Sequence, residues 1–343
     1  MMITTNRLRR WSSAQACRIG CRVLFLCAGL NMSDMVSAGD YSHRGAAQQV
    51  IAAAQEAGVD PDWAQQLIDA AERQQTILDA ISRPAEKTKA WHEYRKIFLT
   101  DRRIREGVTF WSAHAGTLQT VSARTGVPAE LVVAIIGVET YYGRITGSYR
   151  VIDALATLAF DYPRRSPFFT GELEQFLVLA WESGKDPLAL KGSYAGAMGY
   201  GQFMPSSYRA YARSYEGDGA PDIWDNPADA IASVGNYLQA HGWRGGEQVV
   251  IDGIANEPDP AVFLGGLKPK KTVAALALEG LQPTEPLNPA DLATPIRLEE
   301  EDGMRSWLGL QNFYVITRYN HSAMYAMAVW ELSQAIAAAR AGS

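Results

Sequence analysis

The stretch "AELVVAIIGVETYYGR", Ala129–Arg144, decides how this chain is read. Its apolar run from Leu131 to Val138 contains no proline and is longer than an ordinary strand, so a helix is expected over Ala129–Tyr142. Glu139 ends the run. Burial disfavours a carboxylate and raises its pKa, which is how a glutamate stays protonated near neutrality and acts as a general acid. A structural glutamate, paired with Arg144 or capping the helix end, is the alternative. From this window alone the structural reading is preferred.

Working outward, helical periodicity dominates. In "VDPDWAQQLIDAAERQQTILDAI" Asp60 is an N-cap, Pro61 the first helical residue, and Trp63, Leu67, Ile68, Ala71 and Ile77 recur at helical spacing. Further helices are expected over Glu106–Thr125, Gly171–Trp181 with Thr170 as its cap, Ser206–Tyr215 and Pro227–His241. After "HGWRGG" the pattern changes. "QVVIDG", "TPIRLE" and "FYVITRY" are rich in β-branched and aromatic residues and read as strands, separated by turn formers. A final helix from Ser322 to Arg340 carries Tyr325, Val329, Leu332 and Ile336 on one face. The fold class is therefore mainly α, of the α+β kind: a helical body over residues 39–245, a small mixed α/β unit over 246–318, and a C-terminal helix over 319–343 that packs back on the body.

With 47% hydrophobic and 20% charged residues the composition is globular. Residues 1–38 read as a leader: five arginines, the short apolar core "VLFLCAGL", and a small-residue cleavage site ending at Ala38. That core is too short to span a bilayer. Cys17, Cys21 and Cys27 all lie in the leader, so the processed chain forms no disulfide, and none of them has the setting of a lipid-anchor cysteine. A periplasmic protein without a membrane anchor is expected. Removing residues 1–38, with five arginines and one aspartate, takes the net charge from −5 to −9. That balance excludes nucleic acid as a partner.

Three more stretches carry chemistry. In "GSYAGAMGYGQFMPSSYRAY", Gly192–Tyr211, glycines that admit a ligand to the backbone alternate with aromatic, hydroxyl and amide groups. This density favours a binding groove over a packed loop. In "SYEGDGAPDIWD", Ser214–Asp225, the calcium-loop template places Ser214, Glu216, Asp218, the Ala220 carbonyl and Asp222 as ligands, Gly219 at the sharp turn, and Asp225 or Asp229 as the closing carboxylate. Serine in the first position and aspartate in the last weaken the match, and an acidic surface turn explains the stretch nearly as well. Any ion held there would be structural, since oxygen ligands without histidine do not make a catalytic zinc site. In "NFYVITRYNHSAMYAMAVW", Tyr319, Asn320, His321 and Tyr325 cluster where the small unit rejoins the body.

Taken together, "GVETYYGR", "DALATLAFDYPRRSPFFTGELEQFL", "SYAGAMGYGQFMPSSYRAYA", "GDGAPDIWDNPADAIASVGNYLQAHGW" and "NFYVITRYNHSAMYAMAVW" resemble the lytic murein transglycosylase B family. The resemblance implies a lysozyme-like helical core with a small inserted domain. It implies cleavage of the β-1,4 bond between N-acetylmuramic acid and N-acetylglucosamine, leaving a 1,6-anhydro ring. In family terms Glu139 matches a single catalytic acid and base. Ser193, Gln202, Phe203, Tyr237, Tyr319, Asn320 and Tyr325 match groove residues, and Tyr94 is a looser match. No cofactor is implied for the chemistry; calcium would be structural. Glycan strands of peptidoglycan are the implied partner, proteins of cell-wall synthesis the candidate protein partners, and the chain is expected to be a monomer. Two other readings stay open. A hydrolytic muramidase would need a second carboxylate, such as Asp153, Asp161 or Glu172. A non-catalytic peptidoglycan-binding protein would keep the groove without needing the acid.

Overall fold

The computed structural model describes residues 40–41, 44–82, 89–217 and 219–342. The expected leader and Asp218 lie outside the described residues. The helical body opens with α1 (Gly45–Glu56), α2 (Pro61–Asp69) and α3 (Gln75–Ile81). Asp60 caps α2 as its position suggests, its Oδ1 accepting from Trp63 N at 2.9 Å. The helical pattern is interrupted between α2 and α3. There Asp153 Oδ1 and Thr157 Oγ1 accept from the N–H groups of Glu72 (2.9 Å) and Gln74 (3.0 Å), so distant side chains supply what intrahelical carbonyls would have.

Next come α4 (Trp91–Phe98) and α5 (Asp101–Ala113), the latter capped by Thr100. The single helix expected over Glu106–Thr125 is in fact two. The chain breaks at His114 (φ −120°, ψ 26°) and α6 (Ala115–Thr125) leaves in a new direction, stopping on left-handed Gly126. Helix α7 (Ala129–Thr140) is buried from Leu131 to Gly137. It ends two residues earlier than expected, because Tyr141 and Tyr142 turn left-handed (φ 53° and 61°).

The body continues through β1 (Tyr149–Arg150), α8 (Val151–Asp161), α9 (Ser166–Ser183), β2 (Lys191–Gly192), α10 (Pro205–Tyr211) and α11 (Pro227–Ala240). Helix α9 starts before the expected Gly171, with Pro167 in its first turn, so Thr170 lies inside the helix and is not its cap. Helix α10 stops at Tyr211, short of Tyr215, and the chain goes extended at Ala212.

The small unit holds β3 (Val250–Ala255), β4 (Lys271–Thr272), α12 (Val273–Leu278), β5 (Leu281–Pro283), β6 (Leu292–Glu300) and β7 (Gly303–Gly309). These strands form an antiparallel sheet in the order β4-β6-β7-β3-β5. One side has its own small core of Val262, Val273, Leu276, Leu281, Ala293 and Leu308, while Ile296 and Trp307 join the helical core.

"FYVITRY", read as a strand, is helix α13 (Gln311–Tyr319). Tertiary packing overrides its strand propensity: Phe313, Val315 and Ile316 are buried in the helical core. Buried Asn312 also pins the helix start, accepting from Arg244 N and donating to the carbonyls of Arg244 and Glu247. The last helix, α14 (Ala323–Ala341), is capped by Ser322 and buries Tyr325, Val329, Leu332 and Ile336. It packs on α7, α5 and α4. No single helix among the described residues is long and apolar enough to cross a membrane.

Candidate active site

Glu139 sits in the last turn of α7, half-buried, where the helix leaves the core. Tyr325 of α14 donates its phenol hydrogen to Glu139 Oε1 at 2.6 Å. Arg144, the structural partner considered for Glu139, instead directs its guanidinium to Glu106 Oε1 at 2.8 Å.

The residues after Glu139 are built to hold a sharp exit. Thr140 Oγ1 accepts from Gly143 N (3.0 Å) and donates within reach of Tyr200 O (2.9 Å), tying the end of α7 to the Gly-aromatic loop. Tyr142 folds back over Gly137, where an added Cβ would lie 2.7 Å from its ring, and its phenol donates to Arg103 O at 2.8 Å. Gly143 lies under the ring of Tyr200 in the same way. These close approaches explain why glycine flanks the glutamate on both sides.

The Gly-aromatic loop then folds against this exit. Strand β2 pairs with β1 in the register Tyr149↔Gly192, and Gly147 packs on the backbone of Gly192 and Ser193. Ser193 Oγ accepts from Ala197 N at 3.1 Å, which leaves its own O–H as a donor. Gln202 is held left-handed (φ 50°), its amide donating to Thr146 O (3.1 Å) and Gly199 O (3.0 Å).

The aromatic residues fall into two layers. Phe203, Tyr237 and Tyr94 are buried. Phe203 stacks on Tyr237 and also meets Tyr319, while Tyr237 donates to Arg318 O. All three rings therefore belong to the core and offer no exposed face. Tyr319 is half-buried and donates to Gly201 O at 2.7 Å, linking α13 to the loop. Asn320 follows in extended conformation, half-buried, and His321 is exposed.

Burial, and after it the negative charge of Glu139, pushes the Tyr319 and Tyr325 phenols well above the usual tyrosine range. Smaller contributions come from Tyr237 at Tyr319, and at Tyr325 from Tyr319, the bond to Glu139 and Tyr94. Both phenols therefore stay protonated and act as donors beside the carboxyl.

The carboxylates that a two-acid reaction would draw on are engaged elsewhere. Asp153 is buried against Arg150 (2.7 Å). Asp161 pairs with Arg44 (2.7 Å) and Arg73 (3.1 Å) and accepts from Tyr41 (2.9 Å). Buried Glu172 accepts from the N–H and the hydroxyl of Ser206 at 2.9 and 2.6 Å.

Of the expected calcium ligands in loop 214–229, Asp218 lies outside the described residues. Among the described residues, no three of His, Cys, Asp and Glu gather as metal ligands. Glu216 and Ala220 are exposed. Ser214 Oγ accepts from Gly217 N (3.2 Å), Asp222 faces Lys185, and both oxygens of buried Asp229 take backbone N–H groups. Lys185 carried no signal in the sequence, because its partner lies 37 residues further on.

The description "Transglycosylase SLT domain" belongs to the family that matches residues 42–334. Over 316 residues the chain is 46% identical to the membrane-bound lytic murein transglycosylase B of Escherichia coli (strain K12), covering 89% of this chain and 86% of that protein. The soluble lytic transglycosylase SltB1 from Pseudomonas aeruginosa superimposes with a TM-score of 0.82 at 49% identity, covering 87% of this chain and 100% of that one. The Escherichia coli lytic transglycosylase SLT35, in complex with calcium, gives a TM-score of 0.80 at 45% identity, covering 90% of this chain and 98% of that one.

Proposed function

The chain belongs to the transglycosylase SLT domain family and is a peptidoglycan lytic transglycosylase, and from that premise we propose that Glu139 is its single acid and base. The fold is lysozyme-like, mainly helical with a small sheet. Protonated Glu139 gives its proton to the glycosidic oxygen as the bond from C1 of N-acetylmuramic acid breaks. The substrate's own acetamido group supports the cationic C1, the substrate-assisted exception to the two-carboxylate rule. Ionised Glu139 then takes the proton of the muramyl C6 hydroxyl, whose oxygen bonds to C1 and closes the 1,6-anhydro ring. One proton is given and one recovered, and no water is consumed.

The observation that supports this reading is the engagement of Asp153, Asp161 and Glu172, the second carboxylates considered for hydrolysis, in bonds to other parts of the chain. The phenol of Tyr325 adds support: a donor on Oε1 stabilises Glu139 in the ionised state, the state in which it must act as base. Ser193 and Asn320 are assigned to the acetamido group, Gln202 and Tyr319 to the groove, and Phe203, Tyr237 and Tyr94 to its underlayer. Glycan strands are the substrate, the leader over 1–38 directs the chain to the periplasm, and the chain works as a monomer.

The test is the mass of the products. Digests of purified sacculi should contain muropeptides lighter by one water than reducing-end products. Glu139→Gln should lower turnover by about 10²–10⁴ while sugar binding persists. Reducing-end products would establish hydrolysis instead, and a fully active Glu139→Gln would remove Glu139 from the mechanism.

A further inference from the structure

Just past the end of α7, three successive residues are left-handed: Tyr141 (φ 53°), Tyr142 (φ 61°) and Gly143 (φ 86°). Glycine is the usual residue in such a position after a helix. Two tyrosines there are strained, and they persist only where their surroundings over-determine the conformation. Helix α5 supplies those surroundings. Tyr142 enters a slot made by one glycine on each helix. An added Cβ on Gly107 of α5 would lie 2.6 Å from its hydroxyl, and one on Gly137 of α7 would lie 2.7 Å from its ring. At the end of the slot the phenol donates to Arg103 O at 2.8 Å. The Arg103 guanidinium lies over the Tyr141 ring at 4.7 Å. Beyond the turn, Arg144 reaches Glu106 Oε1 at 2.8 Å. Arg103, Glu106 and Gly107 stand three and four residues apart and so share one face of α5. That face grips residues 141, 142 and 144.

Arg103 is the costly member of the grip. It is buried, yet Glu106, three residues on, is engaged by Arg102 (3.0 Å) and Arg144 instead. Its Nη1 donates to Ile97 O at 2.6 Å, and its Nε is buried without a hydrogen-bond partner. Burial lowers its pKa, against the pull of Tyr142, Tyr141 and Glu106. A buried charge without an ion partner works against stability, so its presence beside the reacting carboxyl calls for a task other than stability.

We propose that Arg103 is a positioning residue for the reaction: it clamps the left-handed turn to α5, so that α7 stops directly after Glu139 and the carboxyl stays fixed against Tyr325. Without the clamp the right-handed conformation is open to Tyr141, α7 can wind on, and Glu139 leaves its place. The same turn holds the Gly-aromatic loop through Thr140 Oγ1 and Tyr200 O. The inference rests on Glu139 being the acid and base.

The experiment removes the charge and keeps the bulk. Arg103→Met should unfold within about 2–4 °C of the wild-type midpoint. Its kcat on a soluble muropeptide chain should nevertheless fall by about ten- to a hundredfold, as displacement of a reacting group does, with KM little changed. Tyr142→Phe keeps the ring in its slot and loses only the bond to Arg103 O, so kcat should fall about two- to tenfold. Wild-type kcat in Arg103→Met would overturn the proposal. So would a loss of activity that merely follows the loss of folded protein, or a raised KM with kcat intact. Glu139→Gln, assayed alongside, tests the premise by itself. If it is inactive while Arg103→Met is fully active, only the clamp fails; if it is fully active, the assignment of Glu139 fails and the clamp with it.

Discussion

Tyr325 does for Glu139 what the apolar run cannot. A buried setting favours a protonated carboxyl, but in the mechanism proposed above the same residue must later hold a negative charge and accept a proton. The Tyr325 phenol, 2.6 Å from Oε1 and itself raised by burial and by the Glu139 charge, is a donor that remains protonated through that step. Removing a hydrogen bond to a charged group costs about 1.5–3 kcal/mol, so Tyr325→Phe should lower kcat by about ten- to a hundredfold. KM should change little, because the ring still packs. Steady-state kinetics on a soluble muropeptide chain checks this, and an equal rise in KM with kcat intact would make Tyr325 a substrate-binding group instead. A charge ending an apolar run marks Glu139 as a local anomaly, but that window alone favours a structural glutamate, and its role as acid and base is what the family resemblance implies. Its bond to Tyr325 spans 186 residues, and no local pattern encodes it. The same distance effect hid the fate of Asp161 and Glu172, whose partners come from other elements.

Among elements, the pairing of β1 with β2 shows how little tolerance the groove has. Gly147 is left-handed (φ 100°), and an added Cβ would lie 2.0 Å from the Gly192 carbonyl, which is backbone and cannot turn aside. A non-glycine residue in such a conformation costs about 1–3 kcal/mol before any clash. Gly147→Ala should therefore lower stability by at least that amount and displace Ser193, reducing activity as well; urea unfolding and turnover of the same preparation measure both. Wild-type stability with wild-type turnover would show that β1 and β2 are not rigidly coupled. Helix starts with a strong local device, such as Asp60 with Pro61 or Ser322, could be read from sequence because a cap is a short-range signal. The break at His114, the early end of α7 and the helical state of "FYVITRY" could not. Each is set by what the element packs on, and β-branched Val315 and Ile316 are helical because the core takes them in that form.

At the scale of the molecule, sheet and body share a core through Ile296 and Trp307, and a charged seam joins the β6–β7 hairpin to α4. Trp91 Nε1 donates to Glu300 at 3.0 Å, and Lys96 pairs with Glu301. Exposed pairs of the second kind add little, so stability should follow the buried groups, and those include several neutral phenols. Burial raises Tyr208 and Tyr237 to about 12 from an ordinary 10.0. Tyr208 is pushed further by Asp222 and Asp229, while at Tyr237 the charge of Arg318 pulls the other way. Tyr41 and Tyr142 are also raised, again chiefly by burial.

For an acid raised in the folded state, the unfolded chain releases its proton first as pH rises. The folded state then binds more protons than the unfolded one, and stability falls with pH. The loss begins near the ordinary tyrosine value of 10.0 and continues towards about 12, at about 1.4 kcal/mol per pH unit for each such phenol. Urea midpoints measured from pH 8 upward should therefore be level at first and decline steeply beyond 10, with the phenolate absorbance of the buried rings appearing together with unfolding, after that of exposed tyrosines such as Tyr194. Tyr237→Phe, which removes one of these groups, should begin less stable, having lost its bond to the Arg318 carbonyl, and then decline with a shallower slope. If the full phenolate absorbance of the chain is reached while the protein stays folded, the buried phenols ionise in place, and the aromatic layer around Tyr237 is open to solvent.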